Sequence, residues 1–302
     1  MTNTYTFIDD SWDENRQFHS SLLQNHKNLP IAIETEAAFV FRDAAGNIVH
    51  KYPWPGSGDI ATLTTYLAYL VREEPERIPA NYPKGILVRQ IFFLLRQLAK
   101  AGRKRINVLE VGATLGENFY FIKNLIRRYN LGLEVYFIGI EVSPGLCNFA
   151  RMAHHEDPNF QILAGDGSDL SRFPDQSFDV VLCQGVANFT YDPKLTLREL
   201  IRVTRFAAVL AVQVTDRSTP YHFTDGEHGW LHFIPTRADL RQAWEPHFPL
   251  YDYKFCAIPM QRLNCSGGGN DYYLGQDSAK LDIEMEWHTV SRYPLLSSEK
   301  IA

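Results

Sequence analysis

The chain of 302 residues can bury one large core, or a core domain with a substantial extension, but is short for two unrelated full domains. A formal net charge of -5 and a pI near 6.1 leave no basic footprint for a nucleic acid beyond the short run Arg103-Lys104-Arg105. Four cysteines (Cys147, Cys183, Cys256 and Cys265) form no CxxC pair, and no stretch reaches the roughly 18 apolar residues of a membrane span. Reduced thiols and a soluble, cytoplasmic protein are expected.

The first seventeen residues, "MTNTYTFIDDSWDENRQ", are polar and acidic, with no apolar run of the kind that opens a secretory signal. The stretch "AAFVFRDAAGNIVHKYPWPGSG" reads as two short strands joined through Ala44-Ala45-Gly46-Asn47 and closed by a Pro/Gly cluster. Apolar residues at helical spacing then predict helices over 60–73 and 84–101. Residues 1–103 form an N-terminal hairpin and helical extension in this reading. Its aromatic residues Tyr5, Trp12, Tyr52 and Trp54 suit a lid over a bound molecule.

From residue 104 the pattern changes. Strand-like runs at 106–111, 134–142, 160–166, 177–185 and 207–215 alternate with helical runs at 116–129, 144–156 and 195–205. Near-continuous apolar strands separated by helices predict a mostly parallel sheet covered on both faces, the doubly wound α/β class. Thr236 followed by Asp239 predicts a capping box for a helix over 237–245. Two further runs, 250–261 and 281–293, alternate in polarity and complete a seven-stranded sheet with an antiparallel C-terminal edge. The loop between them, "NCSGGGNDYYLGQDS", lacks the Lys-Ser or Lys-Thr that would follow in a phosphate-binding loop, and reads as a connector.

In an open parallel sheet the first strand-to-helix turn is the usual ligand cradle. Here that turn is "LEVGATLGENF". Its glycines, Gly112 and Gly116, are spaced GxxxG rather than the GxGxxG that lets a backbone approach a pyrophosphate. Glu110, two residues before the first glycine, would set a negative charge beside a phosphate. It suits a cation instead. S-adenosylmethionine carries an ammonium and a sulfonium where a dinucleotide carries phosphates, and the next strand-ending acid, Glu141, can receive ribose hydroxyls. These two features disfavour an NAD-dependent oxidoreductase.

At these residues the chain resembles the class I, Rossmann-like S-adenosylmethionine-dependent methyltransferases, over roughly residues 104–293. The family's first motif, ExGxGxG, matches "EVGATLG" at Glu110, Gly112 and Gly116, with Thr114 where the middle glycine usually stands. The resemblance implies that Glu141 holds the ribose and that Asp166 reads the adenine amino group, with Gly167 and Ser168 supplying backbone. It places Gln184 and Gly185, at the end of the fourth strand, beside the methionine and the acceptor.

The fourth strand ends in "CQGVANF", not in the Asn/Asp-Pro-Pro-Tyr/Phe motif of enzymes that methylate exocyclic amines of bases or glutamine. With the acidic balance, this points to methylation of an O or N atom of a small organic molecule, in keeping with specialised metabolism. Neither nucleic acid nor membrane is an expected partner, and a homodimer is left open. The acceptor pocket in the family is built by the N-terminal extension and the insert after the fifth strand. In that insert His228, and after it His222, are the candidate bases, whereas His232 reads as structural. The spacing H-x5-H-x3-H fits no ligand template, so no metal is expected. The alternative function is a catalytically silent methyltransferase-like regulatory or scaffolding partner.

Overall fold

The computed structural model describes residues 38–42, 48–55, 83–190, 192–224, 231–245, 250–259 and 282–295. Tyr5, Trp12, His228, Cys265 and the helix expected over 60–73 lie outside the described residues. The N-terminal hairpin is present as β1 (Ala38–Arg42) paired antiparallel with β2 (Ile48–Pro55), which carries Tyr52 and Trp54. Helix α1 (Pro83–Lys100) follows. Its residues Leu87, Ile91, Leu94, Leu95 and Leu98 recur at three- and four-residue spacing and are fully buried.

The sheet is built from β3 (Arg105–Val111), β4 (Glu134–Glu141), β5 (Phe160–Ala164), β6 (Phe178–Gln184), β7 (Thr204–Thr215), β10 (Tyr251–Pro259) and β11 (Ile283–Ser291). Helices α2 (Glu117–Arg128), α3 (Pro144–Ala153), α4 (Pro193–Val203) and α5 (Arg237–Trp244) connect them. Strand order is β10-β11-β7-β6-β3-β4-β5. The five strands β7, β6, β3, β4 and β5 run parallel, whereas β11 slots between β7 and β10 and is antiparallel to both. The expected antiparallel feature therefore occupies that edge of the sheet, with β10 outermost.

The chain leaves β3 towards β4 and β5, then returns to the other side of β3 with β6. Strand order reverses at β3, and the crevice that this reversal opens lies at the carboxyl ends of β3 and β6. One apolar layer, from α1 and α2 with Phe137, Val108 and Val209, covers one face of the sheet. A second, from α4 and α5 with Leu109, Val181 and Leu210, covers the other. Side chains such as Phe119 and Phe137 are wholly buried, each contributing roughly 1.5–3 kcal/mol by leaving water.

Two boundaries near the site differ from the sequence expectations, and one further element is present. Helix α4 stops at Val203, not 205: Thr204 is extended, its hydroxyl donates to the Leu200 carbonyl at 2.6 Å, and the residue opens β7. Strand β5 ends at Ala164, so Asp166 stands in the loop beyond it. The insert after β7 also holds a hairpin that the sequence reading did not resolve, β8 (Tyr221–Thr224) paired antiparallel with β9 (Leu231–Ile234). The capping box at the start of α5 is present in both directions between Thr236 and Asp239. Among the described residues no helix is long and apolar enough to cross a membrane.

Candidate functional site

The turn between β3 and α2 has positive φ at three alternate residues: Gly112 at 77°, Thr114 at 46° and Gly116 at 73°. The amide of Gly112 donates to the Ile140 carbonyl at 2.8 Å, bending the chain over the end of β4. A Cβ at Gly112 would collide with Val186, and one at Gly116 would sit 2.5 Å from the ring of Phe160. Glycine is therefore demanded at both places by space as well as by dihedral angle. Thr114 carries a β-branched side chain in the same left-handed region, at a cost of about 1–2 kcal/mol.

What offsets that cost is visible in the next strand. The Thr114 amide donates to Glu141 Oε2 at 3.0 Å, and the Ser143 amide donates to Glu141 Oε1 at 3.0 Å. One buried carboxylate thus ties the turn after β3 to the turn after β4. Burial holds the Glu141 pKa above the usual carboxylate value, and the amides of Ser143, Thr114 and Val142 offset only part of that rise.

Glu110, near the end of β3, is buried and accepts from the Asn118 side-chain amide of α2 at 2.5 Å. Asp166 is buried in the loop after β5, where its Oδ1 accepts from the Ser168 amide at 2.7 Å and from the Ser168 hydroxyl. A Cβ at the intervening Gly167 would meet Val111 at 2.6 Å, so this loop closes directly on β3. The Cys183 thiol on β6 is pushed up to about 12 by burial first, with Glu110 and Asp166 both adding to the rise. Two carboxylates from separate elements thus act electrostatically on the end of β6. Gln184 and Gly185 follow there, the Gly185 amide donating to Ala211 of β7 at 2.9 Å.

The ten residues singled out for the cofactor (Glu110, Gly112, Thr114, Gly116, Glu141, Asp166, Gly167, Ser168, Gln184 and Gly185) therefore lie at or just beyond the carboxyl ends of β3, β4, β5 and β6. Buried acids and close backbone approach suit a ligand with cationic and hydroxyl-bearing ends, and do not suit a polyphosphate. The acceptor side is less complete. His222 lies on β8, paired in register with Phe233, and His232 lies on β9 opposite Phe223, while His228 falls outside the described residues.

Two supporting residues escaped the sequence reading. His154, at the end of α3, bonds through Nε2 to the Leu115 carbonyl at 3.0 Å and packs at a tilt on Phe160 with ring centres 4.1 Å apart. It props the glycine turn from beneath, and burial lowers its pKa to about 4. Asn188, just past β6, accepts from the Gln213 amide at 2.9 Å and donates to the carbonyls of Gln213 at 3.0 Å and Phe233 at 2.8 Å. Its amide side chain stands in for β6 where that strand has turned away from β7, and fastens β9 there too. A buried Asn just beyond a strand is a faint signal in sequence, and a His ten residues into a helical run is fainter.

Residues 109–212 match the family profile of the methyltransferase domain. Among solved structures, the chain is similar to geranyl diphosphate C-methyltransferase from Streptomyces coelicolor A3(2), at 12% identity over 91% of this chain and 98% of that one, with a TM-score of 0.48. An arsenic(III) S-adenosylmethionine methyltransferase from Chlamydomonas reinhardtii shares 18% identity over 64% of each chain, with a TM-score of 0.45. The 4+2 cyclase SpnF shares 15% over 68% of this chain and 80% of that one, with a TM-score of 0.46. No curated protein sequence matches. Residues 109–212 therefore form a methyltransferase domain, which implies S-adenosylmethionine as the methyl donor.

Proposed function

We propose that the protein methylates an O or N atom of a small organic molecule, residues 104–302 holding the cofactor and residues 1–103 completing the acceptor side. The observation that carries the cofactor assignment is Glu141: its carboxylate is buried and already oriented by two backbone amides at 3.0 Å. Its remaining lone pairs are available to ribose hydroxyls. Asp166, oriented by Ser168, accepts from the adenine amino group. Glu110 offers negative charge to the aminoacyl end, over the close backbone of Gly112, Thr114 and Gly116. When bound, S-adenosylmethionine supplies a methyl carbon activated by its sulfonium.

The protein's remaining work is to hold an acceptor in line and out of water. Gln184 and Gly185 border the reacting end. The β8–β9 arm, tied to β7 through Asn188, carries His222 and leads to His228, which take up the acceptor's proton where it must be lost. Nothing in the strand-end sequence "CQGVANF" provides the base-binding motif of nucleic-acid enzymes.

The test incubates the full chain with methyl-labelled cofactor and a cell extract, then fractionates by size. Label is expected on a low-molecular-weight product, as an O- or N-methyl group, and is expected to vanish with Glu141→Ala. Label on protein or nucleic acid, or a new C-methyl group, would overturn the acceptor class. Unchanged turnover in both His222→Ala and His228→Ala, with cofactor binding intact, would remove the histidines as bases.

A further inference from the structure

Along β7 the side chains divide between the two faces of the sheet. Val212 and Val214 join the apolar layer of α4 and α5, whereas Ala211 joins a separate small cluster with Ile86, Ile234, Ile283, Met285 and Trp287. Strand alternation puts Gln213 on this second face. It is only 2% exposed, in a strand otherwise built from Ala, Val and Leu at its centre. Its backbone is fully engaged by Asn188, but its side-chain Oε1 has no hydrogen-bond partner among the described residues.

The facing strand repeats the anomaly with the opposite polarity. Trp287 is 0% exposed, and its indole Nε1 likewise has no hydrogen-bond partner among the described residues. In the antiparallel ladder Gln213 stands opposite Met285, and Ala211 opposite Trp287. Gln213 and Trp287 are therefore diagonal neighbours on one face, within reach of a shared group. A buried acceptor and a buried donor left unpaired side by side each cost stability, and native cores rarely tolerate either without a reason. Their place supplies one. Gln213 is two residues from the carboxyl end of β7, next to the strand that ends in Gln184 and Gly185, and is held by Asn188 to the β8–β9 arm.

We infer that Gln213 and Trp287 recognise a hydroxyl group on a neutral, largely apolar methyl acceptor. A single hydroxyl satisfies both atoms at once: its O–H donates to Gln213 Oε1 and its oxygen accepts from Trp287 Nε1. The surrounding cluster is apolar, with the Arg89 guanidinium acting on Cys256 at its border, and burial there penalises a charge that brings no partner. A hydrogen bond made there, away from water, discriminates strongly against the analogue that lacks the hydroxyl. The assignment makes both side chains determinants of specificity, and it rests on the reading that the acceptor is a small molecule.

The test is calorimetric, on the full chain saturated with S-adenosylhomocysteine, using 2-naphthol and naphthalene as a matched pair of probes. The alcohol is expected to bind about tenfold tighter. Gln213→Leu is expected to abolish that preference with S-adenosylhomocysteine affinity and naphthalene affinity unchanged, and to raise stability to urea by removing the orphaned oxygen. Trp287→Phe, which keeps a ring and removes only the donor, tests the second half independently should Gln213→Leu fail to fold. Equal binding of the two probes, no binding of either, or a preference that survives in the variants would each overturn the assignment. Methyl label on a macromolecule, together with an intact alcohol preference in calorimetry, would defeat the proposed function and leave this site standing.

Discussion

Stability is expected to peak near pH 6.5 and to fall on both sides, because two buried histidines are shifted in opposite directions. His288, on β11, lies with Nδ1 2.8 Å from Asp252 Oδ1 of β10 and with Nε2 3.0 Å from Glu286 Oε2. Burial pulls its pKa down, but the two carboxylates outweigh that and hold it up at about 8. Glu286, in turn held down at about 2 against its burial by His288, Lys254 and Arg237, stays ionised throughout the neutral range. Arg237 Nε sits 2.8 Å from Glu286 and Lys254 Nζ 2.7 Å from it, while Arg237 also pairs with Glu284 and Asp216. The network joins the start of α5, β10, β11 and the turn after β7. His154 is the opposite case, buried and neutral with its pKa lowered to about 4.

For His288 the folded value lies above the unfolded one, so its contribution is complete below pH 6.5 and is lost as pH rises through about 8. Linkage puts the loss between pH 6.5 and 8.5 at about 1.5 kcal/mol. For His154 the folded value lies below the unfolded one, so its contribution is complete above pH 6.5 and is lost as pH falls towards 4. The loss between pH 6.5 and 5 is also about 1.5 kcal/mol. Urea unfolding at pH 5, 6.5 and 8.5 reads these slopes directly. His288→Gln is expected to flatten the alkaline limb and leave the acid limb in place. A wild-type curve that is flat or rising from pH 6.5 to 8.5, or an alkaline fall that persists in His288→Gln, would refute the reasoning.

The glycine turn gives two further expectations. Gly116→Ala sets a Cβ 2.5 Å from the Phe160 ring at a φ of 73°, and is expected to cost about 1–3 kcal/mol in urea unfolding together with most S-adenosylhomocysteine affinity in calorimetry. Thr114→Gly relieves a β-branched residue at a φ of 46° while keeping the amide bond to Glu141. Part of the gain is lost to the freer unfolded chain, leaving a net stabilisation of about 0.5–1 kcal/mol. A destabilised Thr114→Gly would show that the threonine side chain itself holds the turn.

The parallel core was legible in the sequence because its strands are continuous apolar runs, "INVLEV" and "FDVVLCQ" among them, that only a sheet buried on both faces can use. The cradle was legible for a different reason: an acid near the end of the first strand followed by two glycines has few physical readings. Its internal wiring was not. The Glu141–Thr114, Asn188–Gln213 and His154–Leu115 bonds join residues 27, 25 and 39 apart, and no local pattern announces such a pairing. The β8–β9 hairpin was missed because strands of four residues are too short for alternation to stand out. Helix α4 was read two residues too long because neither Thr204 nor Arg205 is a helix breaker, and the strand begins where the Thr204 hydroxyl donates to the Leu200 carbonyl.

The two halves of the site are prepared in different ways, and the difference bears on how each can be altered. At the proposed cofactor end the recognising groups are each oriented by bonds within the protein: Glu141 by two amides, Asp166 Oδ1 by Ser168, and Glu110 Oε1 by Asn118. They stand in position before any ligand arrives, so little ordering remains to be done on binding. The Glu141 bonds join the turns after β3 and β4, so that a change to Glu141 alters the fold and the ligand together. Cofactor affinity alone therefore cannot separate a binding role from a structural one there, and stability has to be measured beside it. At the proposed acceptor end Gln213 and Trp287 are held by the strands that carry them, with polar atoms that have no hydrogen-bond partner among the described residues. Replacing them with apolar side chains removes a cost to the fold rather than a support. Acceptor specificity can accordingly be changed at β7 and β11 without disturbing the turn that defines the family.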